Sequence, residues 1–179
     1  ICFLKGVRII SGLNALLVLC QAGYVTEMGV LLRTIGECIN DIYFLLEHYP
    51  RKRPEVEKYI AAFLNENVDE LKIVEDEKKR TKRTKARTII ASRVRFLSEH
   101  MNLHIDGEIV YKNYDTYSGY VHACYPNIME LYDNGESSKF YISGLKDKER
   151  IKEWEKILID FTRSTILVFG YMAEKYHKR

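Results

Sequence analysis

The sequence predicts an all-α fold, a bundle of about six mostly antiparallel helices. Only three prolines and ten glycines interrupt its 179 residues, which favours long helices over many short strands. Hydrophobic residues make up 46% and charged residues 30% of the chain, as in globular proteins. Apolar residues recur at three- and four-residue spacing along most of the chain. A chain of this length suits one core, so we expect residues 1–179 to form a single helical domain.

The first two helices are predicted over residues 3–22 and 24–48. The first is apolar nearly all round, as expected for a helix in the middle of a bundle. Its longest apolar run is shorter than the roughly 18 residues that a bilayer span needs, so we expect no membrane helix. The chain begins at Ile1 inside this apolar pattern, and we expect further residues to precede it. The second helix ends before a proline-bounded break at 49–54, because proline lacks a backbone N–H.

Four further helices follow from the same spacing, over residues 54–79, 86–102, 114–133 and 154–176. Pro126 either kinks the helix it lies in or begins its second half. Residues 134–146 contain two glycines and the β-prone run Phe140-Tyr141-Ile142, which predicts a long loop with a short strand. The last helix has the most regular pattern, since one apolar face continues over about six turns.

Four cysteines lie far apart in the sequence, and no two of them form a C-x-x-C pair: Cys2, Cys20, Cys38 and Cys124. Each has apolar neighbours, which is typical of buried free thiols in a reducing cytosol rather than of zinc or redox chemistry. We therefore expect a cytoplasmic protein with no metal and no cofactor. The net charge of +3 is too small to indicate a partner, so the distribution of charge is more informative.

A polar stripe runs along the second predicted helix within about 100° of arc. It consists of Arg33, Glu37, Asn40 and Asp41. One interpretation is a solvated face with a weak ion pair between Arg33 and Glu37. The other is a cleft that binds phosphate, sugar or a metal ion, because Gly29 and Gly36 at its edge would let another helix approach closely.

A second constellation is expected on the fifth helix, where Ser118 and His122 share an aromatic face. Its other members are Tyr114, Tyr125, Met129 and Tyr132. Such a face predicts that both side chains point inward, and a buried imidazole needs partners for its nitrogens. His122 is then either a hydrogen-bonded core residue or the partner of the polar stripe, if the two helices pack together. A nucleophilic Ser-His pair is less favoured, because this spacing lacks the exposed elbow that such catalysis employs.

These two helices carry an R-x-x-x-E pattern at Arg33 and Glu37 and a Y-x-x-x-S-x-x-x-H pattern ending at His122. In this order and spacing, over about residues 10–175, the chain resembles a group of uncharacterised bacterial helical proteins. The resemblance implies an all-α bundle with a polar cluster of Arg33, Glu37, Ser118 and His122, and it implies no established activity. With the stripe, it predicts a ligand-binding set, namely Arg33, Glu37, Asp41, Ser118 and His122.

A basic segment covers residues 78–95, with nine Lys or Arg in eighteen residues. Dense positive charge attracts nucleic-acid backbones by releasing their counterions. The predicted nucleic-acid contacts are Lys78, Lys79, Arg80, Lys82, Arg83, Lys85 and Arg87. Interleaved aromatic residues that would stack on bases are missing, so a solvated helix corner balanced by the acidic run 75–77 is the alternative.

The fourth helix contains Arg93-Val94-Arg95-Phe96-Leu97-Ser98-Glu99-His100, which resembles the R-x(4–6)-H motif of HEPN ribonucleases, helical bundles that are often dimers. The resemblance implies catalysis by Arg93 or Arg95 with His100, the imidazole acting as acid or base and the guanidinium stabilising charge. In that family a polar residue usually follows the arginine, whereas an apolar residue stands there in this chain. A metal site at His100 and His104 would need a third ligand of fixed geometry, so none is predicted.

Taken together, these patterns predict a helical domain that binds a nucleic-acid or nucleotide-like polar partner through a cleft with Arg33, Glu37 and His122. Two alternatives stay open. One is a metal-independent ribonuclease of HEPN type that functions as a homodimer. The other is a structural interaction scaffold with no ligand, in which the polar clusters only order the core.

Overall fold

The computed structural model describes residues 1–51, 53–65, 86–101, 106–133, 139–145 and 147–177. In these residues the helices are α1 (Cys2–Ala22), α2 (Val25–His48), α3 (Pro54–Asn65), α4 (Ala86–Met101), α5 (Gly107–Val121), α6 (Tyr125–Met129) and α7 (Lys148–His177). A 3-10 turn, Tyr49–Arg51, follows α2, and the two-residue strands β1 (Tyr132–Asp133) and β2 (Lys139–Phe140) pair antiparallel. The all-α fold is therefore confirmed, as is a short strand in the predicted loop.

Helix α2 lies at the centre of the bundle and packs against α1, α4, α5 and α7. All residues from 38 to 45 are buried, although they face every direction around the helix. The prediction that the first helix occupies the middle was wrong. Helix α1 is covered on one side only, and Phe3 on its outer side is 72% exposed.

Helix α1 is long enough and apolar enough to cross a membrane by length and composition. The core helix of a soluble protein and an N-terminal signal sequence meet the same criteria. The inner side of α1 packs on α2 and α7, so its hydrophobicity serves the core as well. The absence of a membrane helix stays a prediction.

The fifth predicted helix is interrupted after Val121. The next residues form a turn in which Ala123 has a left-handed backbone with φ of 49°, a conformation that ends a right-handed helix. Helix α6 then starts anew with Pro126 in its first turn, a position where the missing N–H costs nothing. Of the two alternatives for this proline, the second is confirmed, since it begins a separate helix.

Two glycines join the end of α1 to the loop before α7. Gly23 caps α1 with φ of 78°, and its carbonyl accepts a hydrogen bond from the Leu145 amide at 2.8 Å. A Cβ on Gly144, where φ is 95°, would lie 2.1 Å from the Ala22 carbonyl oxygen. Both positions therefore require glycine, and this close contact directs α7 back along α1 and α2.

Helix α7 closes the core with a regular apolar face, as predicted. Its Tyr171 ring lies 3.9 Å from the Phe96 ring of α4 and 6.0 Å from the Tyr43 ring of α2, measured between centroids. Trp154 at the other end of α7 meets the Tyr120 ring of α5 edge-on at 5.6 Å. Two groups of aromatic side chains, one near each end of α7, thus hold this helix against the rest of the bundle.

The prediction of buried free thiols is confirmed for Cys2, Cys20 and Cys38 and was wrong for Cys124. Burial raises the pKa of each of the three buried thiols, which disfavours the reactive thiolate. Cys124 is exposed because it lies in the turn between α5 and α6.

Candidate functional site

Arg33 of the predicted stripe joins α2 to α5. Its Nε donates to Ser118 Oγ at 2.9 Å, its Nη1 lies 2.6 Å from Glu37 Oε1, and its Cζ lies 3.5 Å from the centre of the Tyr114 ring. The sequence prediction that these residues meet is confirmed. Since an ion pair, a hydrogen bond and a ring together engage the guanidinium, this cluster can tie the two helices together without any ligand.

Asp41 belongs to a different contact. Its carboxylate lies 2.7 Å from Lys5 Nζ, and both side chains are nearly buried. The same ammonium group lies 5.3 Å from the Phe63 ring and 5.9 Å from the Tyr59 ring. Asp41 thus connects α2 to α1 and α3, although it also lines a small cavity of about 130 Å³ beside Glu37 and Tyr114.

His122 does not point inward, and that part of the prediction was wrong. It is exposed and follows the last residue of α5, where its backbone N–H donates to the Ser118 carbonyl at 3.1 Å. The prediction assumed that one helix continues past Val121. Because α5 ends there, the residues after the break do not lie on the predicted aromatic face. Of the predicted ligand-binding residues, Arg33, Glu37 and Ser118 therefore lie together.

The residues predicted to contact nucleic acid lie mostly outside the described part of the chain: Lys78, Lys79, Arg80, Lys82, Arg83 and Lys85. Arg87 is described, and it is exposed in the first turn of α4. Its Cζ lies 4.9 Å from the centre of the Tyr111 ring of α5.

The two arginines of the HEPN-like motif have different surroundings. Arg93 points toward α2, where its Nη1 donates to Asn40 Oδ1 at 2.9 Å, so it is engaged inside the bundle rather than available to a substrate. Arg95 is exposed, with 48% of its side chain accessible. The side chains of His100 and His104 lie outside the described residues.

A pocket of about 380 Å³ lies between the end of α2, the start of α3 and α4. Arg53, Arg87 and Arg95 line it together with His48 and Ser92; its other lining residues are Phe44, Glu55, Thr88 and Ala91. Sequence reasoning identified two of these arginines but neither Arg53 nor the buried polar pair, because they come from separate elements. The arginines make this pocket suited to an anionic group.

His48 and Ser92 form a buried hydrogen bond on the wall of this pocket, 2.8 Å between Nε2 and Oγ. Ser92 Oγ also donates to the Thr88 carbonyl at 3.1 Å, so Nε2 carries the imidazole proton. Nδ1 is buried and has no hydrogen-bond partner among the described residues. Burial, followed by the nearby guanidinium groups of Arg53 and Arg95, lowers the pKa of His48, and the imidazole is therefore neutral at pH 7.

Glu47 lies beside this pair, with Oε2 3.5 Å from His48 Nε2 and Oε1 3.8 Å from Arg95 Nη1. Burial raises the pKa of this carboxyl, and the positive charge of Arg95 opposes the effect. The site thus combines a neutral imidazole, a hydroxyl and a carboxyl with exposed arginines, a set that can bind an anion and accept a proton.

A second groove, of about 650 Å³, lies on the other side of α4. Arg87 and Arg95 line it as well, and Tyr111 and Glu108 of α5 form its opposite wall. The two arginines therefore stand on a ridge between two depressions.

In the described residues no group of three His, Cys, Asp or Glu side chains is placed to hold a metal ion.

The buried imidazole predicts a pH dependence of stability. A histidine whose folded pKa lies below its unfolded value binds its proton more readily when unfolded, so stability is complete above about pH 6.5 and falls as the pH drops below that value. We expect the wild-type chain to lose more free energy of unfolding between pH 7.5 and pH 5.5 than His48→Gln, measured by urea denaturation. Glu47 is common to both proteins, and its own linkage largely cancels in the comparison. Equal losses in the two proteins would contradict the prediction.

The described fold and site define a class of protein, an all-α bundle with an arginine-lined pocket beside its central helix. The model of a family of unknown function, DUF5677, matches residues 1–141, and the chain belongs to this family. The prediction of an uncharacterised helical family is thereby confirmed, whereas the bacterial source and the relation to HEPN proteins stay predictions. Comparison with curated proteins and with solved structures gave no match. The matched segment contains every residue of the pocket and ends before α7.

Proposed function

We propose that this protein binds single-stranded RNA, whose phosphate groups contact the arginine ridge of α4 and enter the adjacent pocket. The observation that carries the proposal is the convergence of Arg53, Arg87 and Arg95 on one pocket of about 380 Å³. Arginine binds phosphate through paired N–H donors and keeps its charge at every physiological pH.

The position of the two ridge arginines supports contact with an extended polyanion. Arg87 and Arg95 are eight residues apart, so they lie on the same face of α4 and about 12 Å apart along its axis. Ala91 between them is exposed and small, which leaves the ridge open between the two guanidinium groups. Neighbouring carboxylates, including Glu55 and Glu99, confine the positive potential to the arginines.

An aromatic ring adjoins the ridge. Tyr111 is partly exposed and lines the second groove next to Arg87, and a tyrosine ring can stack on a base whatever the base sequence. The sequence pattern lacked aromatic residues within the basic segment, but this ring comes from α5. A ring beside a guanidinium group is typical of single-strand binding surfaces.

The basic segment directly precedes α4 in the sequence. Residues 78–85 carry six Lys or Arg and are followed directly by α4, whose second residue is Arg87. A run of six cations that directly precedes α4 in the sequence supports a longer polyanion rather than a lone nucleotide.

The test is binding of a fluorescein-labelled 20-nucleotide RNA, followed by anisotropy at several salt concentrations between 50 and 200 mM. The double variant Arg87→Glu/Arg95→Glu is expected to bind at least about tenfold more weakly. It should also lose about 0.7 from the slope of log K against log salt for each phosphate contact removed. Arg163→Glu is the matched control, because Arg163 is an exposed arginine on α7 with 74% of its side chain accessible. Salt-independent binding by the wild type, or an equal loss in the control, would overturn the proposal.

Cleavage of the bound RNA is the second candidate, supported by the exposure of Arg95 next to the pocket. In this interpretation Arg95 and His100 form the HEPN-type pair, without Arg93. Incubating the same RNA with the wild type, His100→Ala and His48→Gln distinguishes the two candidates. Loss of cleavage in His100→Ala alone supports the ribonuclease, and the absence of cleavage in the wild type leaves binding as the function.

A further inference from the structure

We propose that the outer face of α1 is the contact surface for a second copy of this chain, arranged about a two-fold axis near Asn14. This proposal is independent of RNA binding. Six apolar side chains of α1 are exposed by 51–72%: Phe3, Leu4, Val7, Ile10, Leu17 and Val18. Single exposed apolar residues are ordinary, but a continuous face of them marks an interaction site.

The spacing of these residues is that of a helix that pairs with another helix. Positions 3, 7, 10, 14, 17 and 21 alternate steps of four and three residues, the a and d positions of three heptads, and all six are exposed. The residues that α1 buries inside the bundle are on the other side: Cys2, Gly6, Ile9, Gly12, Leu16 and Cys20. Helix α1 therefore has two faces suited to helix packing. The inner face packs inside the bundle, and the outer row of positions 3, 7, 10, 14, 17 and 21, here called the seam, faces outward in the described structure.

Asn14 favours an identical partner. It is a polar residue at an a position near the middle of the exposed seam, where it would be costly against an apolar surface unless its amide finds a hydrogen-bond partner. A second Asn14 across a two-fold axis supplies both donor and acceptor. A single asparagine at such a position is known to fix the register and number of paired helices.

The available area is close to what a dimer needs. The six exposed apolar side chains of the outer face of α1 offer about 600 Å², if each contributes on the order of 100 Å². A standard interface buries about 800 Å² on each partner, and the polar residues along the seam supply the remainder. The six seam positions carry no charged side chain, and the exposed Arg8 lies beside them rather than among them, so two copies can meet without placing like charges at the centre of the contact.

A lipid surface fits the same face less well. Ser11, Asn14 and Gln21 interrupt the outer face of α1, and interfacial helices carry lysine or arginine at the border of their apolar face. Of the two basic residues of α1, Lys5 is turned inward to Asp41, and only Arg8 is exposed beside the apolar face. The opposite side of α1 packs on α2 and α7, so lipid cannot surround the helix in this fold.

Light scattering during gel filtration tests the proposal at micromolar concentrations. The wild type should have twice the chain mass of 21.0 kDa, and Ile10→Glu/Leu17→Glu should be monomeric, with self-association weakened about 100-fold, tenfold for each charge placed in the contact. Both side chains are half exposed in the single chain, so circular dichroism should show an intact fold. Ile109→Glu is the control, since Ile109 is 57% exposed on α5 and should leave the dimer unchanged.

Cross-linking locates the axis. In a Cys124→Ser background, which removes the exposed thiol, Asn14→Cys should form a disulfide-linked dimer under mild oxidation, whereas Lys112→Cys on α5 should not. A wild type that is monomeric at 50 µM or above overturns the proposal. So does a monomer that sediments with vesicles of phosphatidylcholine and phosphatidylglycerol, because it would assign the face to lipid.

Discussion

Replacing Asp41 with alanine is expected to lower the free energy of unfolding by about 3–5 kcal/mol, the cost of leaving a buried charge without its partner. The ammonium group of Lys5 lies 2.7 Å from this carboxylate, and 12% of the lysine side chain is accessible. The rings of Tyr59 and Phe63 shield it further. Urea denaturation at pH 7 measures the loss, and circular dichroism reports whether the helices persist.

A double-mutant cycle separates the lost ion pair from lost packing. Lys5→Met keeps an unbranched side chain against the same two rings, so Lys5→Met/Asp41→Ala should recover most of the stability that Asp41→Ala alone loses. The expected coupling energy between the two sites is at least about 1 kcal/mol. If the two substitutions prove additive, Asp41 stabilises the fold through packing and not through Lys5.

Alanine at Gly29 is the second change with a large expected effect. A Cβ at this position would lie 2.3 Å from Cγ of Tyr120, and this ring cannot retreat, because it packs edge-on against Trp154 and its hydroxyl donates to Glu130. Overpacking of this kind costs about 1–3 kcal/mol. Helix α5 would be displaced from α2, and with it the Ser118 hydroxyl that Arg33 contacts.

Gly36→Ala is the matched control on the same helix. Gly36 is seven residues from Gly29, and a Cβ added at Gly36 would come no nearer than 3.7 Å to the Phe161 ring. Exchange of glycine for alanine within a helix then stabilises by about 0.5–1 kcal/mol. Thermal unfolding of both variants should therefore show shifts of opposite sign, and a shared direction would refute the assigned contact between Gly29 and Tyr120.

Much of the fold could be predicted from the sequence because its helices are long and their apolar spacing is regular. The meeting of Arg33, Glu37 and Ser118 was also predictable, since each pattern repeats within one helix and Gly29 permits the close approach. The inward position of His122 was not, because one left-handed residue, Ala123, ends α5 and changes the direction of everything after it. Periodicity describes a helix only as far as that helix continues.

The arginine pocket was beyond sequence reasoning for another reason. Arg53, His48 and Ser92 come from the segment after α2, from the end of α2 and from α4, and no local pattern connects them. Their proximity depends on how the ends of these helices pack. The signal that could have indicated it is the adjacent Glu47-His48 pair at the end of a helix, because both residues are uncommon in a buried face.

Helix α7 packs against the family segment although it lies outside that segment. The family segment ends at residue 141, yet Val168 and Tyr171, on a helix outside that segment, are buried against residues inside it. The segment is thus not a closed folding unit in this chain. A relative that shares only this segment must cover the rings of Tyr43 and Phe96 with another element. The residues at these two positions could then be exchanged between relatives only if the covering helix is exchanged with them.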